Sequence, residues 1–128
     1  MLCLADNEAD LLTQFAAVLA VGSSALCSDG EPAKGLRSRL PKELQGKLRL
    51  VADWTKDDVA FDAVIHHGHS DQLRAVCQQV AKRAGAIVGV HGLSSGDQQI
   101  ALERLVIERA VSVNTAAAGG NASLMTIG

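Results

Sequence analysis

Three histidines stand close together in the chain and form its most conspicuous polar cluster, His66, His67 and His69. Imidazole nitrogens are common ligands of zinc and copper, so the cluster is a candidate metal site. Adjacent residues of a strand point to opposite faces, so at most two of the three converge easily. No acidic or cysteine ligand stands nearby at metal-ligand spacing, unless Asp71 serves. Loop histidines at the start of a helix are the favoured interpretation, with a metal site as the weaker alternative.

The end of the first apolar run bears on nucleotide binding. Residues 4–8 read LADNE, without glycine and with two carboxylates where a pyrophosphate would sit. Glycines are needed at such a junction so that backbone N–H groups can approach phosphate. The junction therefore disfavours a dinucleotide site, although other phosphate-binding turns exist. Residues 91–96 also follow a strand and could line a ligand site, but an ordinary flexible loop is favoured.

The three cysteines give no sign of catalysis. Cys3, Cys27 and Cys77 are an odd number without CxxC spacing, and each stands in an apolar stretch. This pattern predicts reduced, buried thiols in a cytosolic protein. Cys27 precedes a turn-like Ser-Asp-Gly that could expose its thiol, but nothing local supplies a base or an oxyanion site. We therefore predict no catalytic residue and no cofactor-binding residue in this chain.

Composition narrows the class of protein further. The chain has 128 residues, 48% of them hydrophobic, which is typical of one globular domain. Its net charge of −2 and its three aromatic residues argue against binding nucleic acid. No apolar run approaches the roughly 20 residues that span a bilayer, and no basic segment of a signal peptide begins the chain. We expect a cytoplasmic protein.

Short apolar runs predict the strands that would position these residues. Five such runs occur, at residues 2–5, 25–27, 48–51, 63–65 and 86–90. Asp6 or Asn7 can cap a helix that Gly22 ends, and Ser70 can cap a second helix that Gly85 ends. Residues 28–46 read as a loop zone with a short helix after Pro41, and residues 98–102 as a short helix. The alternation predicts an α/β fold, with a Rossmann-like parallel sheet of about five strands and helices on both faces.

The C-terminal tail differs from the rest of the chain. Residues 105–114 are strand-like, and residues 112–128 carry no charge and no regular periodicity. Small side chains permit close backbone approach to another surface, and Asn114, Thr115, Asn121 and Ser123 can form hydrogen bonds along it. The tail is therefore predicted to be a docking strand or flap, with a disordered end as the open alternative.

This tail resembles the C-terminal motif of the proline utilization A (PutA) flavoenzymes. The likeness extends through residues 102–105 (LERL) and 108–111 (ERAV), and includes residues 55–64 (TKDDVAFDAV) and 85–88 (GAIV). It therefore covers most of the chain and is densest from residue 102 onward. The uncharged tail of 17 residues is its most specific part.

The resemblance implies a domain of a bacterial, cytoplasmic parent enzyme, with peripheral attachment at the inner membrane as a further option. The parent oxidises proline with FAD and glutamate semialdehyde with NAD, and is expected to be a homo-oligomer. Some members also carry an N-terminal DNA-binding domain. The longer members end in a non-catalytic domain that resembles the Rossmann part of aldehyde dehydrogenases, with a β-flap. That domain covers the tunnel through which the intermediate passes.

Carried onto this chain, the resemblance implies a degenerate Rossmann-like domain at residues 1–104 and a flap strand with its tail at residues 105–128. It implies no enzyme activity and no cofactor in this domain, and its partners would be the two dehydrogenase modules of the same polypeptide. The expected interdomain docking residues are Asn114, Thr115, Gly119, Gly120, Asn121 and Ser123. The alternative is a vestigial nucleotide- or metabolite-binding regulatory module, with a pocket near Asp6, His66 and His91.

Overall fold

A computed structural model describes residues 1–106 of the chain. The strands are β1 (Leu2–Leu4), β2 (Ala25–Ser28), β3 (Leu48–Val51), β4 (Ala63–His67) and β5 (Gly89–Leu93). The helices are α1 (Glu8–Ala20), α2 (Glu31–Arg39), α3 (Lys42–Gln45) and α4 (Ser70–Ala81). Residues 102–106 are helical as well. No helix within residues 1–106 is long and apolar enough to cross a membrane.

The five strands form one sheet in the order β3-β2-β1-β4-β5, and every pair is parallel. Leu2 of β1 is in register with Leu26 of β2 on one side and with Val64 of β4 on the other. The chain thus builds the sheet outward from β1 in one direction and then continues from β4 in the other. This arrangement confirms the predicted Rossmann-like parallel sheet of five strands.

Alternation along the strands divides the core into two layers. Cys3, Cys27 and Ile65 point to the face that α1 and α2 cover, where Phe15 is fully buried. The other face carries apolar residues from the same strands and packs against Val76 and Val80 of α4. Helices therefore cover both faces, as the near-continuous apolar strands predict for a parallel sheet.

Helix α2 corrects the predicted loop between residues 28 and 46. Gly30 precedes the helix, Pro32 lies in its first turn, and Ala33 and Leu36 point into the core. Proline is suited to a first turn because the N–H it lacks has no partner there. Only two apolar residues at a spacing of three face the core, so the periodic signal is weak. Helix α3 matches the short helix expected after Pro41.

The boundaries of α4 and β5 also differ from the sequence prediction. Helix α4 begins after His69 rather than after Ser70, and it ends at Ala81 instead of reaching Gly85. Strand β5 runs from Gly89 to Leu93, so residues 91–93 lie in the strand and not in a loop. Residues 86–88 precede the strand, and Ile87 there is 96% exposed. The apolar run at residues 86–90 therefore predicts the start of this strand three residues too early, because pairing with β4 begins only at Gly89.

The C-terminal part of the described chain also shifts one predicted helix. Residues 98–101 are not helical, and the helical turn begins at residue 102. It occupies Leu105 and Val106, the first two positions of the predicted flap strand. Leu105 is fully buried in the core on the α1 side of the sheet. The rest of that strand and the tail lie outside the described residues.

One arginine holds the long connection between β3 and β4. The guanidinium of Arg83 donates hydrogen bonds to the carbonyls of Trp54 (3.0 Å), Lys56 (2.8 Å) and Val59. It also lies 4.4 Å from the ring centroid of Phe61, a cation–π distance. The Arg83 side chain thus bonds this connection to the end of α4, in addition to the packing of Trp54, Val59 and Phe61 against the core on that side of the sheet.

Candidate functional site

The sheet order reverses between β1 and β4, where open α/β sheets bind their ligands. The carboxyl ends of these two strands are in register, Leu4 with His66. Asp6 and Asn7 follow β1, and Gly68 follows β4. We take this edge of the sheet, with the first turn of α1 and residues 94–97 beside it, as the candidate site and call it the switch-point edge.

Asp10 lies at the centre of a hydrogen-bond network at the switch-point edge. Asn7 caps α1 by accepting the Asp10 backbone N–H at 2.8 Å, and its side-chain amide donates to the Asp10 carboxylate at 2.8 Å. The carboxylate also accepts the Ser95 hydroxyl at 2.8 Å and the Gly96 backbone N–H at 3.0 Å. The start of α1 is thereby joined to the loop that follows β5.

These contacts set the protonation of Asp10. Burial by itself raises the pKa of the carboxyl, since Asp10 is buried among protein atoms. The hydrogen bonds from Asn7, Ser95 and Gly96 outweigh that effect and hold the pKa below its ordinary value. Asp10 is therefore a carboxylate whose oxygens are engaged by the protein itself.

His67 fills the adjoining space on the α1 side of the sheet. Its Nδ1 lies 2.8 Å from the Gln14 amide nitrogen, which also donates to the Leu4 carbonyl. Its Nε2 lies 2.8 Å from the Asp97 carbonyl oxygen. Since an amide nitrogen donates and a carbonyl accepts, Nδ1 accepts and Nε2 carries the proton. Both ring nitrogens of His67 are thus in use, and neither is left to bind a metal ion.

His66 points to the opposite face, toward α4. Its side chain is buried, and its Nδ1 has no hydrogen-bond partner among residues 1–106. Burial lowers the pKa of the imidazole, opposed by the nearby charge of Asp6. A Cβ on Gly68 would lie 2.8 Å from Cε1 of this ring, so the backbone approaches the ring closely. The prediction of loop histidines is wrong for both His66 and His67, which are buried strand residues.

In the part of the chain that the structure describes, the third histidine, His69, shares no hydrogen bond with the other two. His69 is exposed at the N-cap of α4, where its backbone N–H donates to the Gln72 side-chain oxygen at 2.9 Å. The Gln72 amide in turn donates to Asp6 at 3.0 Å. Within the described residues no three His, Cys, Asp or Glu side chains are grouped so that they could hold a metal ion.

The switch-point edge can therefore join elements, but it offers little to a ligand. Asp10 and His67 direct their polar atoms to protein partners, and one oxygen of the exposed Asp6 accepts from Gln72. The cysteines lie elsewhere: Cys3 and Cys27 are buried between strands and helix, and Cys77 is exposed on α4. The expectation of a buried thiol is thus wrong for Cys77.

Sequence reasoning missed the residues that organise this edge. Asp10 stands three residues after the cap Asn7, a spacing that signals reciprocal capping. Gln14 interrupts the apolar face of α1 and is fully buried, a weak sign that it bonds to something inside. Ser95 has no local signal, because its partner is 85 residues away in the chain. The predicted docking residues Asn114, Thr115, Gly119, Gly120, Asn121 and Ser123 lie outside the described residues.

Comparison with known proteins confirms the resemblance. Over 128 residues the chain is 59% identical to the bifunctional protein PutA of Salmonella typhimurium and 56% identical to that of Escherichia coli. The PutA of Rhizobium meliloti is 38% identical over 130 aligned residues, which cover 95% of this chain. The chain spans only 10% of the length of each of these relatives. No protein-family model matches it.

Proposed function

This chain is homologous over its whole length to one segment of the bifunctional PutA proteins, and on this premise we propose that it is a non-catalytic lid and scaffold domain of such a protein. The parent would be an oxidoreductase of proline catabolism that converts proline to glutamate, with FAD in its proline dehydrogenase module and NAD in its glutamate-semialdehyde dehydrogenase module. This domain would support the aldehyde dehydrogenase module and seal the tunnel between the two active sites.

The main support for the proposal is that side chains and backbone groups of the chain itself form the hydrogen bonds at the switch-point edge. A Rossmann-like sheet that binds a dinucleotide needs a glycine turn and free N–H groups after its first strand. Here residues 4–8 lack glycine, and Asp10 and His67 are bonded to the loop at residues 94–97. Such an edge suits a scaffold that keeps the dehydrogenase fold without its nucleotide site.

The surface of α1 offers support of a different kind. Leu12 is 50% exposed, and with Ala16, Ala20 and Leu102 it lines an apolar groove of about 540 Å³. An exposed apolar surface of this kind is typical of a protein–protein contact. We propose that the body of the domain docks on the aldehyde dehydrogenase module through this groove.

The uncharged tail would complete the seal. We propose that residues 107–114 form a flap strand and that residues 115–128 cover the tunnel, with six docking contacts at Asn114, Thr115, Gly119, Gly120, Asn121 and Ser123. Glycine permits close backbone approach, and amides and hydroxyls form hydrogen bonds with the covered surface. Burial of a segment without charge avoids the cost of desolvating an ion.

Deletion of residues 112–128 in a full-length PutA tests this role. The formation of NADH with proline as the starting substrate is followed, and each half-reaction is measured separately. Semialdehyde that escapes is trapped with an amine reagent. We expect a lag and trapped intermediate while both half-reactions keep their rates. Unchanged coupled turnover, or loss of the aldehyde dehydrogenase half-reaction alone, would contradict sealing by the tail.

A point variant with a matched control sharpens the test. Gly120→Trp places a bulky side chain in the proposed contact and should lower coupled turnover. Gly46→Trp introduces the same side chain at a position where a Cβ meets nothing within 4 Å. This control should leave coupled turnover unchanged, and an equal loss in both variants would argue against a specific seal at Gly120.

The alternative of a vestigial binding module has less support, because Asp10 and His67 at the same edge are bonded to the protein. NAD titration followed by amide chemical shifts distinguishes the two functions. Saturable shifts at Asp6, His66 and His91 would favour the binding module. Zinc calorimetry tests the metal-site alternative at His66, His67 and His69, for which we expect no binding heat.

A further inference from the structure

Two free cysteines are neighbours across the centre of the sheet. Cys3 of β1 and Cys27 of β2 are register partners on adjacent parallel strands, and both point to the α1 side. Adjacent strands lie about 4.7–4.9 Å apart. Disulfides span Cα separations of about 4.4–6.8 Å. The backbone therefore already holds the two residues at a distance that a disulfide can bridge.

The two thiols are not equivalent. The neighbouring Cys3 side chain lowers the pKa of the Cys27 thiol. The neighbouring Cys27 side chain, followed by burial, raises the pKa of Cys3. The Cys3 thiol donates its hydrogen to the Met1 carbonyl at 3.9 Å. Cys27 is thus the better nucleophile, because the thiolate is the reactive form of cysteine.

A small cleft reaches the pair from the carboxyl ends of β1 and β2. It has a volume of about 80 Å³ and is lined by both cysteines together with Ser28, Gly30 and Pro32. A water molecule occupies about 30 Å³ of the liquid. The cleft can therefore admit a peroxide-sized molecule, whereas the 1% and 2% exposure of Cys3 and Cys27 hinders larger reagents.

We propose that Cys3 and Cys27 are a peroxide-reactive thiol pair that closes to an intramolecular disulfide between β1 and β2. The Cys27 thiolate attacks one oxygen of hydrogen peroxide, the O–O bond breaks, and the hydroxide released takes up a proton, leaving Cys27 as a sulfenic acid. The Cys3 sulfur then attacks the Cys27 sulfur, the S–O bond breaks and a second water leaves with the Cys3 proton. The two thiols lose two electrons in all, and the peroxide gains them.

Cys77 provides an internal comparison. It is exposed on α4, on the opposite face of the sheet from the pair. Exposure alone would make Cys77 the first thiol to be oxidised. If the pair acts as proposed, the intramolecular product instead joins the two buried residues.

The test oxidises the 128-residue chain with hydrogen peroxide under native conditions and maps its peptides by mass spectrometry. We expect a monomer in which one linked peptide pair contains Cys3 and Cys27, with the loss of two hydrogen atoms. Oxidation of the chain in denaturant should also link Cys77. A native sample whose Cys3 and Cys27 remain free thiols, or in which Cys77 is the linked residue, would overturn the proposal.

Variants separate the two steps. In a Cys77→Ser background, Cys3→Ser should leave Cys27 as a sulfenic acid, which a cyclic diketone traps when the oxidised protein is unfolded in its presence. Cys27→Ser should leave Cys3 a thiol. Circular dichroism verifies that each variant is folded before oxidation. Equal trapping at Cys3 and Cys27 in the two variants would contradict the assignment of Cys27 as the attacking residue.

Discussion

Ser95, in the loop after the last described strand, donates its hydroxyl to the Asp10 carboxylate in the first described helix at 2.8 Å. Gly96 donates its backbone N–H to the other oxygen of the same carboxylate at 3.0 Å. The loop that follows β5 is thus fixed to the start of α1. In this way the carboxyl edge of the sheet is closed by the chain's own groups.

Removal of the Asp10 carboxylate should destabilise the fold. Asp10→Ala leaves the Ser95 hydroxyl and the Gly96 N–H without their acceptor, and we expect a loss of about 1–3 kcal/mol in the free energy of unfolding. Urea denaturation followed by circular dichroism measures this loss. Asp58→Ala, which changes an exposed aspartate, should stay within about 0.5 kcal/mol of the parent chain. Equal stability of both variants would show that the network contributes little.

The buried His66 should make stability depend on pH. Burial lowers its pKa in the folded state, so between its ordinary value of about 6.5 and that lower value the unfolded chain binds more protons. Stability is therefore lost as the pH falls below about 6.5, by less than the one-proton limit of about 1.4 kcal/mol per pH unit. His66→Phe should remove this part of the slope. Denaturation of both chains at several pH values measures it, and identical slopes would contradict the assignment.

A side chain at Gly92 should force the side chain of Leu73 to move. A Cβ at Gly92 would lie 2.4 Å from Cδ2 of Leu73, so Gly92→Ala should cost about 1–3 kcal/mol. Gly46→Ala, with nothing within 4 Å of its Cβ, is the matched control and should cost nothing. Thermal unfolding compares the two. Adding Leu73→Ala to Gly92→Ala should cost less than Leu73→Ala does in the parent, and strict additivity would refute the contact.

Arg83 should control the order of the connection between β3 and β4. Arg83→Ala removes three hydrogen bonds to carbonyls and the contact with Phe61, and we expect a loss of about 1.5–3 kcal/mol. Amide hydrogen exchange should accelerate most at residues 54–61. Arg74→Ala, an exposed arginine on α4, should leave exchange in that segment unchanged. Acceleration spread evenly over the chain would instead indicate general destabilisation.

The strands were predictable because burial on both faces requires short continuous apolar runs. Four of the five strands overlap their predicted ranges almost completely, and Asn7 caps α1 as expected. Helix α2 was missed because only Ala33 and Leu36 face the core. Strand β5 was displaced because residues 86–88 are apolar yet precede the pairing with β4, and Ile87 is exposed.

The candidate site was less predictable than the fold. The histidine cluster lies at the switch-point edge, so the sequence indicated the location of the candidate site. The roles of His66 and His67, however, depend on which face of the sheet each side chain occupies. Gln14 and Asp97, which contact the two ring nitrogens of His67, stand far from it in the sequence. Side-chain pairs so far apart leave no local pattern, so a single sequence cannot reveal them.

The position of β1 in the sheet has a consequence for folding. Leu2 pairs with Leu26 and with Val64, so the N-terminal strand has a neighbour on each side and lies in the interior of the sheet. The second neighbour joins only after more than sixty residues have followed it along the chain. Closure of this half of the sheet is therefore a non-local, slow event. A nascent chain would hold β1 beside β2 with one edge unsatisfied until β4 arrives, and it would be most prone to aggregation during that interval.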